Sequence, residues 1–165
     1  MKHVKGYFTV TLLNETGEVQ KQWVDLPNIT HNGGEEFLIG ALIRKATYST
    51  DFLYMGLDDR AALAEGDKKS TVSQTNEVTG SNYSRVTFSC NASGFPTFSI
   101  NGSNDWFANA ATAAFSAKGT WTSAKNFFIC TDTCLFGSVA LDAQVILTAG
   151  NCIKVNYTLK VKEPA

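Results

Sequence analysis

A mainly β fold, a single β-sandwich of jelly-roll-like topology with one α-helix near residues 33–46, is what the sequence predicts for residues 1–165, and three features predict it. Short stretches rich in Val, Ile, Phe, Tyr and Thr recur along the chain, with turn signals between them every ~8–12 residues. Several of these stretches alternate apolar and polar side chains, the period of a strand with one face buried. Only one stretch carries a helical pattern. A chain of 165 residues that is 44% hydrophobic and 12% aromatic also has the material for one sizeable core.

Taken in order, Gly6 to Leu13 is rich in β-formers, Asn14-Glu15-Thr16-Gly17 is a turn, and Glu18 to Val24 alternates, which together predict a hairpin. Leu26-Pro27-Asn28 breaks the strand. Asn32-Gly33-Gly34-Glu35-Glu36 supplies a capping residue and first-turn acids, and Phe37, Leu38, Ala41 and Leu42 form an apolar face that ends in Arg44-Lys45, where cations suit the helix dipole. Asp51 to Leu57 reads as a short apolar strand. Asp58 to Gly80 is polar, with at most a turn of helix at Ala61 to Ala64, and a loop of that length is expected to serve a contact.

Tyr83 to Cys90 alternates again, Gly94-Phe95-Pro96 is a turn, Thr97 to Ile100 a strand, and Asn101 to Asp105 another turn. Ala110 to Ala117 reads as a strand anchored by Phe115, because its Thr and Ser neighbours and the Lys118-Gly119 turn outweigh the helical leaning of its alanines. Four strands follow: Asn126 to Cys130, Leu135 to Leu141, Ala143 to Thr148 and Ile153 to Val161. In the last, Ile153, Val155, Tyr157, Leu159 and Val161 alternate with Lys154, Asn156, Thr158, Lys160 and Lys162. One face is core and the other solvent.

Charge narrows the function. Fourteen basic against fifteen acidic residues give a net charge of -1 with no run of like charges, so no electrostatic footprint for nucleic acid or an anionic membrane is present. No segment approaches the roughly 20 apolar residues of a membrane span. The first residues lack the apolar run of a secretory signal, so assembly in a cytoplasm is expected, and the recurrent Asn-x-Ser/Thr triplets read as β surface. Charged residues make up only 18%, against roughly 25% in an average domain, which suits a surface built for contact.

Candidate chemistry is sparse. Asp58-Asp59-Arg60 could bind a metal or do acid–base work, but no neighbouring His, second acidic cluster or nucleophile motif supports it. Gly33-Gly34 before a helix lacks either phosphate-binding pattern. Cys130-Thr131-Asp132-Thr133-Cys134 invites a zinc site, yet zinc knuckles have other spacings and His3 and His31 lie far off in sequence. Four structural thiols with Cys90 and Cys152 are expected, a Cys130–Cys134 disulfide remaining open, with no metal, no cofactor and no catalytic residue. Of the tryptophans, Trp23 and Trp121 are expected in the core, and Trp106-Phe107 is the pair expected at an interface.

Three stretches together resemble a group of tailed-bacteriophage virion structural proteins: the N-terminal hairpin leading to Leu26-Pro27-Asn28-Ile29-Thr30-His31-Asn32-Gly33 and its helix; Tyr54-Met55-Gly56-Leu57-Asp58-Asp59 with the polar loop, Glu77 and Asn82-Tyr83-Ser84-Arg85-Val86; and Phe115 to Thr122 with Phe127-Phe128-Ile129, Leu135 to Leu141 and the Gly150-Asn151 turn. That family usually has a glycine-aspartate turn before the last strand, and its members do not share these cysteines. The resemblance implies a non-enzymatic capsid decoration (cement) protein that binds the outside of the shell through the major capsid protein or another virion subunit. It also implies a homo-oligomer, a trimer being favoured. The alternative is a tail, baseplate or fibre-associated protein. The contact is expected from the 58–80 loop, with residues 66–76 dispensable for folding, or from the N-terminal strand.

Overall fold

The computed structural model describes residues 3–43, 50–103 and 105–162. They form two antiparallel sheets around a shared core, the expected sandwich. The first sheet is built on β1 (His3–Leu13) and β11 (Cys152–Lys162), which pair along their whole lengths from His3↔Lys162 to Leu13↔Cys152. Outside β1 lies β2 (Val19–Pro27). Outside β11 lie β7 (Trp106–Asn109), carrying β6 (Thr97–Ile100) on its far side, and, further along, β8 (Ala113–Ser116). The second sheet has the order β3 (Ile29–Thr30), β10 (Leu135–Val145), β9 (Ala124–Cys130), β4 (Phe52–Asp58), β5 (Val86–Ser89).

Period-two alternation places the core. Phe8 and Val10 of β1 and Ile153, Val155 and Tyr157 of β11 face Met55 and Leu57 of β4, Phe127 and Ile129 of β9 and Val139 and Leu141 of β10, all essentially closed to solvent. Trp23 and Trp121 join them, as expected. The β1–β2 turn needs Gly17 at φ +84°, and Asn14 Oδ1 accepts the Thr16 and Glu18 backbone N–H groups inside it.

Helix α1 spans Asn32–Ile43, and residues 44–46 of its expected length lie outside the described residues. Asn32 is the first helical residue and not the cap. The carbonyl of His31 takes the N–H groups of Gly34 and Glu35. Gly33 and Gly34 are explained by packing, since a Cβ on Gly34 would strike the Phe136 backbone of β10.

Four expectations need correction. The 58–80 segment is not a free loop: it carries α2 (Lys69–Thr75), and Val72 and Leu63 bury against Phe128, Cys130 and Leu135 in a second small core. The turn of helix falls there and not at Ala61 to Ala64, because an apolar partner surface, and not alanine propensity, selects it. The two strands expected at 135–141 and 143–148 are one strand, β10, which ends at Val145. Asp142 sits within it and accepts from Trp23 Nε1 (2.8 Å) and Lys21 (3.1 Å) of β2. Trp106 to Asn109 is an additional strand beyond those expected.

Candidate functional site

Of the carboxylates and thiols singled out in the sequence, Asp58, Cys130 and Cys134 are engaged in structure. Asp58 is fully buried at the end of β4, and both its oxygens accept from the Arg60 guanidinium (3.1 Å for Nε and for Nη2), while Arg60 also reaches Asp67 at 3.5 Å. The turn ties the strand exit to the 58–80 segment. His31 is buried, its Nε2 2.8 Å from Ser138 Oγ and its Nδ1 3.2 Å from the Glu65 carbonyl. Burial holds its pKa below the usual value.

All four cysteines are free. Cys130 ends β9, and burial pushes its thiol up to about 11 despite the Arg85 guanidinium 3.5 Å away. Cys134 closes the turn that starts β10, its N–H bound by Thr131 Oγ1. Among the described residues no three metal-ligating side chains gather.

Two concavities of similar volume stand out among the described residues. A polar cleft of about 560 Å³ lies between the start of α1, the start of α2 and the β9–β10 turn, lined by Glu36, Asp67, Lys68, Lys69, Asp132 and Cys134 among others. Its charges are mixed, and the Lys69 ammonium donates to the Asp132 carbonyl across it. The second is apolar, of similar volume, between residues 90–96 and the core-facing side of the first sheet, with Phe95, Phe98, Ala108 and Leu159 in its lining.

The strand registers explain why that second groove is apolar. On the core-facing side, Phe8 pairs with Tyr157 in a fully buried row. The next row runs Gly6, Leu159, Ala108, Phe98 across β1, β11, β7 and β6. One row further, Val4 pairs with Val161 and Trp106 with Ile100, and continuing the β7–β11 register by one residue sets Val161 beside Trp106. The apolar pattern therefore runs two rows past the point where burial is complete. Phe98 is 73%, Trp106 49%, Ile100 47% and Val4 44% exposed.

The Phe98 and Trp106 rings stack at 5.0 Å on this face. The opposite face of the same strands carries Lys5, Lys160, Thr158, Asn109 and Ser99, with Tyr7 and Phe107 among them. Of the expected pair Trp106-Phe107, Trp106 belongs to the exposed apolar face and Phe107 points to the other side. Phe98 and Ile100 are not among the residues expected at an interface; two-residue alternation in Thr97 to Ile100 sets them beside Trp106 once β7 is a strand.

No protein-family model, curated protein or solved structure matches this chain.

Proposed function

We propose that this protein is a non-catalytic structural subunit that works by binding other protein subunits, and specifically a bacteriophage virion protein of jelly-roll type, a capsid decoration (cement) protein seated on the outside of the shell. The observation that supports a binding role is the two-row apolar extension of the first sheet, because isolated monomers seldom leave stacked aromatics open beside aliphatic neighbours. The virion assignment rests on the sequence resemblance alone. The partner in this reading is the major capsid protein or another virion subunit, with assembly in the host cytoplasm and a homo-oligomer, a trimer on the resemblance, as the working unit.

Reconstruction of purified particles tests the proposal. Density for this chain at repeated positions on the shell is the expected result. Density confined to tail, baseplate or fibre moves the protein to the alternative location, and its absence from particles overturns the virion reading.

A further inference from the structure

Two outer strands of the first sheet, β2 and β6, are built differently. β2 is guarded: Asp25 breaks its register at φ +51°, Lys21 is held to Asp142, and Pro27 ends it. These are devices that keep one sheet edge from adding to another. β6 is not guarded. Thr97-Phe98-Ser99-Ile100 carries no charge, and from Thr97 to Asn109 the one charged residue, Asp105, is buried. Among the described residues β6 pairs with β7 alone.

We infer that β6 is a self-association edge, at which two copies of this chain pair their β6 strands antiparallel about a two-fold axis. The inference deepens the proposed binding role by naming the partner at that surface. Charge points to a second copy, because a two-fold axis sets the side chains beside it near their own copies, where a charge would meet a like charge. An uncharged edge escapes that cost.

Register points the same way. Pairing centred on Ser99 puts Phe98 opposite Ile100 of the second copy on the same face, so the row ending in Ile100 continues into that of Phe98, Ala108 and Leu159 in the neighbour. The apolar extension of one copy thus becomes contiguous with that of the other.

Area sets the strength. Phe98, Trp106 and Ile100 together offer roughly 350 Å² of exposed apolar surface per copy, about half of the ~800 Å² per partner of a standard interface. The dimer is therefore a weak, concentration-dependent one. A two-fold contact also differs in stoichiometry from the trimer that the resemblance favours.

Sedimentation equilibrium of the full chain over a wide concentration range tests this, with Phe98→Asp and Ser99→Lys as variants and far-UV circular dichroism confirming that each folds. Ser99 faces the polar side, so its lysine leaves the apolar face intact while placing two ammonium groups beside the axis. Expected are a monomer–dimer equilibrium in the parent, dimerisation weakened on the order of ten-fold or more by Phe98→Asp, and a clear weakening by Ser99→Lys. A monomer at every concentration, a trimer, or a dimer untouched by Ser99→Lys overturns the inference. So does an apolar small molecule found by mass spectrometry in the groove of a monomeric protein. A monomer that still occupies particles sinks this inference and spares the virion reading, and a dimer absent from particles does the reverse.

Discussion

At the scale of single residues, stability turns on polar groups that have been drawn inside with their partners. Glu77 accepts from Arg85 through both oxygens (2.8 and 2.7 Å) and from the Tyr83 hydroxyl at 2.9 Å, and that hydroxyl in turn receives the Leu57 N–H. Burial raises the Tyr83 pKa, which keeps the phenol a donor. Glu77→Ala leaves a part-buried guanidinium and a hydroxyl without their acceptor, and we expect a loss of about 2–4 kcal/mol in urea unfolding. Glu77→Gln, which keeps an acceptor for Tyr83, should lose less. His31 gives a pH dependence. Its folded pKa lies below the ordinary 6.5, so below that value the unfolded chain binds the extra proton and stability falls as pH drops. The denaturation midpoint should decline as pH falls below about 6.5, and His31→Asn should flatten that decline. Asp142 and Glu18, whose pKa values are lowered from their usual carboxylate values, act at more acid pH.

At the scale of elements, the 58–80 segment is held by its apolar residues. Val72 is fully buried on α2 beside Leu63, Phe128 and Leu135, so Val72→Ala should cost about 2 kcal/mol. Deleting residues 66–76 should likewise lower the thermal midpoint and not leave the domain untouched. The sequence showed β1 by its run of β-formers, β9 as an apolar stretch and β11 by strict alternation; all three lie there, and Phe115, Trp23 and Trp121 are in the core. It was silent where long-range packing decides. α2 has a single strongly apolar residue, Val72, in its two turns, too few to mark a helix before its partner surface is known. β10 runs through Asp142 because Trp23 and Lys21 on β2 satisfy that carboxylate. The binding face was half legible, since Trp106 stood out by type while Phe98 and Ile100 gain their meaning only from the β6–β7 register.

At the scale of the whole molecule, the two ends of the chain meet in the middle of one sheet. β1 is hydrogen-bonded to β2 on one side and to β11 on the other, so the N-terminal strand is no free edge for a neighbour to capture. Its core residues Phe8 and Val10 are fully buried, and Phe8 packs at 5.0 Å against Tyr157. The β1–β11 pairing closes a loop of almost the entire chain, an entropic cost met only when both termini are present. Folding should consequently be slow for a domain of this size, in the millisecond-to-second range of non-local β proteins. Truncation after Asn151 removes β11 and with it the strand on which β1, β7 and β8 all depend. We expect that shortened chain to lack a cooperative thermal transition and to be cut rapidly by protease, whereas the full chain resists. Removing residues 1–13 should have the same effect, because β11 would lose its longest pairing and Tyr157 the ring against which it packs. A truncated chain of either kind that unfolded cooperatively near the parent's midpoint would mean that the second sheet and its helices fold without the terminal pair.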